Sequence, residues 1–165
     1  MHNGKVKIIT GIRRCGKSYL LFNIFTNYLL SLGVKNKQLI TLALDDIEFA
    51  SYRNPFKLNE YVRSRIENHD NKYYLLIDEI QYSKAVLNPD FEGDTITFVD
   101  NLLSLMKIKN LDIYVTVSNS KMLSKDILNS FEEKSFYLKN LFKETYLKDI
   151  IERNNILNSD EIFDT

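Results

Sequence analysis

Apolar runs and helical-period segments alternate along the first 131 residues. Val6, Ile8 and Ile9 form a short apolar run. A glycine-framed stretch, Gly11–Ser18, follows. Leu20, Leu21, Ile24, Phe25 and Tyr28 then recur at helical spacing, which predicts a helix over Lys17–Leu32. Gly33 stands where a helix commonly ends with a left-handed residue. The run Gln38–Leu44 reads as a buried second strand, closed by Asp45-Asp46. Asn54-Pro55 reads as an N-cap with proline in the first turn. Leu58, Tyr61, Val62 and Ile66 continue that helix, with Arg63 and Arg65 on its solvated side. Tyr73–Ile77 is a third apolar run and ends at Asp78-Glu79. Asn88–Asp94, with Pro89 and Gly93, reads as a turn before a helix over Thr95–Met106. Leu111–Val117 is the fourth run and ends in Ser118-Asn119-Ser120. A short helix over Lys121–Phe131 is expected after it.

This β-α-β-α-β-α-β-α order predicts an α/β fold. Continuous apolar strands separated by helices imply a mainly parallel sheet covered on both faces, a three-layer α/β/α arrangement. Residues 1–131 form the core in this reading. The final 34 residues, 132–165, break the alternation. Glu132–Arg153 reads as one long helix, with Leu138, Phe142, Tyr146 and Ile150 along a stripe and Glu144–Lys148 and Asp149–Arg153 as supportive pairs. A further helix start is expected at Ser159-Asp160-Glu161. An apolar stripe left exposed there would favour association.

Composition narrows the picture. The 165 residues are enough for one domain with a real core, and 44% hydrophobic with 27% charged is ordinary for a globular chain. Twenty-two basic residues balance 22 acidic ones, so no chain-wide electrostatic footprint for nucleic acid exists. A single cysteine, Cys15, excludes an internal disulfide and suits a reducing compartment. Cys15 lies beside Lys17, which would lower a thiol pKa, yet a small residue fitting the loop is the plainer reading. No stretch suits a signal peptide or a bilayer span, so the expected location is the cytoplasm. His69 has no neighbouring His or Cys and is not expected to hold a metal.

The chemistry centres on Gly11-Ile12-Arg13-Arg14-Cys15-Gly16-Lys17-Ser18, which fits G-x-x-x-x-G-K-[ST]. Glycines let the chain curl so that backbone N–H groups meet phosphate oxygens, and the helix start adds positive partial charge. Lys17 can reach the β- and γ-phosphates, and Ser18 can offer its hydroxyl to Mg²⁺. Gly11, Arg13, Arg14, Cys15, Gly16, Lys17, Ser18 and Tyr19 are therefore the expected nucleotide contacts. Asp78, at the end of an apolar strand, suits Mg²⁺ and completes the metal pair with Ser18. Glu79 suits activation of the attacking water. Gln81 is a nearby polar contact. Asn119 is placed to sense the γ-phosphate, and Ser120 to cap the next helix. Asp45-Asp46 reads equally as a ligand-site edge and as a solvated turn.

Gly11–Ser18, the strand ending Leu76-Ile77-Asp78-Glu79-Ile80-Gln81, and Tyr114–Ser120 together resemble a prokaryotic AAA-type P-loop ATPase family. Its members pair an N-terminal ATPase with a C-terminal domain of poorly known role. The resemblance covers residues 5–131 and implies ATP and Mg²⁺ as ligands. It implies Glu79, Lys17 and Asn119 or Ser118 as catalytic residues, and Ser18 and Asp78 at the metal. Residues 132–156 resemble a stretch that comes much later in the family. Where the family has a glycine in the sensor strand, this chain has Val117. The family's arginine between glycines, its fifth core strand and its lid are not recognisable, and no arginine occurs between Arg65 and Arg153. The expectation is thus a sheet incomplete at its C-terminal end, a helical remnant over 132–165, and an internal deletion near 131–132. Without an arginine finger, hydrolysis is expected to be weak or absent.

An ATPase coupling ATP/ADP state to an unidentified protein partner is the first reading, with self-association as a natural accompaniment. A non-catalytic nucleotide-binding remnant is the second. A small-molecule kinase is disfavoured by the Asp78-Glu79 pair, and a DNA-binding regulator by neutral charge.

Overall fold

The computed structural model describes residues 6–118 and 136–137. β1 is Val6–Thr10. The first helix runs without a break through α1 (Lys17–Tyr19), a π-helical segment (Leu20–Phe25) and α2 (Thr26–Ser31). Gly33, at φ 87°, ends it. Val34 N–H bonds Leu29 O at 3.1 Å and Gly33 N–H bonds Leu30 O at 3.0 Å, satisfying carbonyls the helix leaves open. β2 is Leu39–Ala43 and α3 is Pro55–Arg65, whose N-cap Asn54 accepts from the N–H groups of Phe56 and Lys57. β3 is Tyr73–Asp78, α4 is Phe98–Leu105 and β6 is Leu111–Val117.

All pairs in the main sheet are parallel, in the order β2-β3-β6-β1-β7, where β7 is Phe136–Tyr137. Alternate residues face opposite layers. Val6, Ile8, Leu75, Ile77, Ile113 and Val115 join Leu58 and Val62 of α3 and Leu102 and Leu105 of α4 in one core. Leu76 and Tyr114 face the other way, onto Leu21, Phe25 and Leu29 of the first helix. One helix thus covers one face and two cover the other, the three-layer α/β/α arrangement expected. The helix after β1 and those after β2 and β3 leave on opposite faces. A crevice forms at that switch, at the carboxyl ends of the strands.

Two elements differ from the sequence reading. Thr95 and Ile96 are not helical. They form β5, antiparallel to β4 (Val86–Leu87), closing a hairpin over the Asn88–Asp94 turn. The helix begins only after Thr97, whose hydroxyl accepts from Asp100 N–H while the Asp100 carboxylate accepts from Thr97 N–H. This reciprocal cap fixes the boundary. Phe136–Tyr137 is a strand, β7, and not part of a helix over Glu132–Arg153. It pairs parallel with β1, Lys7 opposite Phe136 and Ile8 opposite Tyr137, so the sheet has a fifth strand where four were expected. β1 otherwise would offer a free ladder of amides on that side. The expected helix over Lys121–Phe131, and the rest of 132–165, lie outside the described residues.

A buried charge cluster lies at the opposite end of the sheet from the crevice. Lys7 Nζ donates to Asp112 Oδ1 at 3.0 Å, and Lys72 Nζ lies 3.1 Å from Asp112 Oδ2. Lys7 also stands over the Tyr114 ring. Burial lowers the Lys7 pKa, partly offset by Asp112. Burial raises the Tyr114 and Tyr74 phenols, Tyr114 the more strongly. A buried phenol keeps its proton in the fold at pH values where the unfolded chain has lost it. The folded state then binds more protons, and stability falls as pH rises beyond about 10. Lys7 acts with opposite sign, adding stability as pH approaches about 10.5. Tyr114→Phe is expected to flatten the alkaline fall. Urea midpoints at pH 9 and 11 check this, and an unchanged fall in the variant would contradict it.

Candidate functional site

The crevice is built from three strand ends. β1 leads into the glycine-framed loop, β3 ends in Asp78, and β6, lying between them, carries Thr116 and leads to Ser118. Gly16 is at φ 86° and Arg14 at φ 67°, so successive N–H groups of the loop turn inward. Gly11 has an ordinary φ and is needed for space. A methyl there would sit 2.7 Å from Cys15 Sγ. Cys15 is exposed, and its sulfur also lies 4.0 Å from Lys17 Nζ.

Lys17 is 6% exposed, although it begins a helix. Its Nζ donates to Ile12 O at 3.0 Å and Gly11 O at 3.3 Å and lies 4.0 Å from Glu79 Oε1. The ammonium therefore sits inside the loop. Ser18 Oγ donates to Asp78 Oδ2 at 2.6 Å across 60 residues of sequence. Asp78 is 3% exposed, and its other oxygen accepts from the Thr116 hydroxyl. Thr116 Oγ1 also accepts from Glu79 N–H at 2.9 Å. One buried threonine thus orders both acids. Glu79 adopts φ 54°, ψ 53°, a left-handed conformation rare for a side chain of this size. That turn swings its carboxylate to accept from the Ser118 hydroxyl and the Gln81 side-chain amide. Such strain, held by surrounding bonds, concentrates at functional sites.

A cleft of about 530 Å³ opens beside the loop, lined by Arg13, Asp45, Glu79, Gln81, Tyr82, Lys84 and Ser118. Asp45 therefore faces the site, while Asp46 Oδ1 accepts from Glu48 N–H and holds the turn. Arg14 is exposed and outside this lining, and Tyr19 is 62% exposed. Asn119 and Ser120 lie outside the described residues. The strand end brings Ser118 onto Glu79.

Two residues of the site carry no motif. Thr116 sits in an otherwise apolar run, and its only sequence signal is a polar residue two positions before Ser118. Arg53 donates to Leu44 O at 2.7 Å and Asp45 O at 3.1 Å and stacks over Tyr82. Its carbonyl accepts from Lys84 N–H at 2.8 Å. It thereby fastens the loop after β2 to the turn after β3. Nothing in the spacing of Arg53 announces this.

A family model described as an AAA domain matches residues 3–142. The chain belongs to this AAA family. The match extends past β7. The AAA domain is 25% identical over 123 residues to an uncharacterised protein of Haemophilus influenzae, covering 74% of this chain and 27% of that one. It is 29% identical over 130 residues to the uncharacterised protein MJ1544 of Methanocaldococcus jannaschii, covering 76% of this chain and 24% of that one. The chain spans about a quarter of the length of these curated relatives. Among solved structures, PCH-2 of C. elegans matches at a TM-score of 0.52 and 14% identity, over 95% of this chain and 42% of that one. That likeness is one of fold. Family and fold together make this a P-loop ATPase-like protein. No helix among the described residues is long and apolar enough to cross a membrane.

Proposed function

We propose that this AAA domain binds ATP with Mg²⁺ at the loop Gly11–Ser18 and hydrolyses it slowly. The observation that carries the reading is the 2.6 Å bond between Ser18 Oγ and Asp78 Oδ2. It brings a hydroxyl and a buried carboxylate to one point beside a loop whose N–H groups turn inward. These are the donors Mg²⁺ takes when phosphates and water supply the rest of its shell. Among the described residues no three His, Cys, Asp or Glu gather into a cage, and such a shared site needs none. When bound, the ion neutralises charge on the phosphates. Lys17 supplies a point charge to the phosphates, the loop amides hold their oxygens, and Gly11 leaves the room that Cys15 needs for the loop to close. Arg13 lines the open side, and the exposed Arg14 and Tyr19 are further contacts for the nucleotide in this reading.

Glu79 takes the proton of the attacking water, with Lys17, Ser118 and Gln81 fixing its carboxylate. Asn119, one residue beyond Ser118, is the second candidate for the γ-phosphate. Turnover is slow because no arginine occurs between Arg65 and Arg153 to stabilise the transferring charge. Residues 1–131, with β7 at the edge of their sheet, serve as the ATPase core, and the rest of 132–165 as a following segment. ATP and ADP are the small-molecule partners, with self-association and a protein partner as further ones in a cytoplasmic setting.

Metal removal tests the Ser18–Asp78 assignment. ATP affinity, read by calorimetry, is expected to fall about tenfold or more when EDTA replaces Mg²⁺. This corresponds to losing about 1.4 kcal/mol or more of bridged charge interaction. Ser18→Ala is expected to bind ATP weakly and equally with and without Mg²⁺. A wild type indifferent to Mg²⁺ would contradict the assignment.

A further inference from the structure

We infer that Gln81 is a second catalytic residue, holding the attacking water against Glu79. The inference rests on the hydrolytic reading above. The left-handed backbone of Glu79 turns the chain back, so that the side chain two positions on meets the Glu79 carboxylate. There Gln81 Nε2 donates to Glu79 Oε2. The nitrogen must be the atom on that side, since an amide oxygen would repel a carboxylate. This settles where the other end points. Gln81 Oε1 is directed away from Glu79, and it is buried with no hydrogen-bond partner.

A buried amide oxygen without a partner costs about 1–3 kcal/mol, and folded proteins rarely keep one without a use. Gln81 lines the 530 Å³ cleft together with Glu79, Ser118 and Arg13. The terminal torsion of a glutamine is broad and soft, so a small swing brings Oε1 to a water at the cleft edge while Nε2 stays on Glu79. A water there donates one proton toward Glu79 and the other to Gln81 Oε1. Two acceptors at one carboxylate–amide pair fix both hydrogens and leave a lone pair for phosphorus. In the step, the water oxygen bonds the γ-phosphorus and the bond from γ-phosphorus to the bridging oxygen breaks. ADP leaves with the bond's electrons, and Glu79 takes the water proton. The products are ADP and inorganic phosphate.

Gln81→Leu and Gln81→Asn test this in the full chain, with ATP affinity by calorimetry and hydrolysis in a single turnover. Gln81→Leu is expected to bind ATP within about twofold of wild type and to hydrolyse it at roughly a tenth of the rate or less. Gln81→Asn keeps an amide and is expected to recover part of the lost rate at the same ATP affinity, a rescue confined to the rate that a purely structural side chain would not give. Gln81→Leu turning over like wild type would overturn the inference, as would equal loss of affinity and rate. Wild type hydrolysing no faster than Glu79→Gln would overturn the hydrolytic reading and this inference with it. ATP binding would then stand or fall separately on Lys17.

Discussion

Glu79→Gln is expected to slow ATP hydrolysis by about a hundredfold or more and to leave ATP affinity close to wild type. General-base catalysis contributes about 10²–10⁴ in rate, and an amide cannot take the proton. The substitution preserves shape. Ser118 still finds an acceptor at position 79, and Thr116 still accepts the N–H that holds the left-handed backbone. The charge opposite Lys17, 4.0 Å away, is lost, which leaves the ammonium freer for phosphate and does not weaken binding. Gln81 loses a carboxylate to donate to, a local cost of about 1–2 kcal/mol in stability. Phosphate release under saturating ATP, compared between the two proteins, checks the expectation. Equal rates would mean that Glu79 abstracts no proton.

How the chain folds around this site was only partly legible. Lys17, Ser18 and Asp78 stood out because phosphate and Mg²⁺ chemistry demands few residue types in a fixed local order. The strands between them then dictate that Ser18 and Asp78, 60 residues apart, meet. The first helix was legible in extent and in its end at Gly33, though its π segment has no period of its own to reveal it. The hairpin is hard to read from sequence, although Thr95-Ile96-Thr97 is β-branched and Thr97-x-x-Asp100 is a capping pattern. The apolar spacing from Phe98 onward outweighed both. β7 was not readable at all. Its two paired residues owe their strand form to the open side of β1, a contact across more than a hundred residues. Lys7 and Asp112 likewise look solvent-facing in an alternating pattern, and only strand neighbours make them a buried pair. Thr116 and Arg53 act through bonds whose partners come from other loops. Such roles follow from tertiary geometry, which no local spacing encodes.

Lys17→Ala carries the other large expected effect. The side chain is almost fully enclosed by the loop, its ammonium held by two carbonyls at 3.0 and 3.3 Å. Phosphate oxygens bring negative charge to that point, and a charged hydrogen bond there is worth about 1.5–3 kcal/mol, or roughly ten- to a hundredfold in affinity. Alanine removes this and leaves the carbonyls of Gly11 and Ile12 facing the phosphates with no cation between. The two effects add in the same direction, so binding is expected to drop below calorimetric detection while the fold survives. The central claim is that Gly11–Ser18 is an ATP site. The direct measurement is a calorimetric titration of wild type and Lys17→Ala with ATP in the presence of Mg²⁺. Saturable one-site binding to wild type and none to Lys17→Ala is the predicted result. The same affinity in both proteins, or no binding to wild type, would contradict the claim.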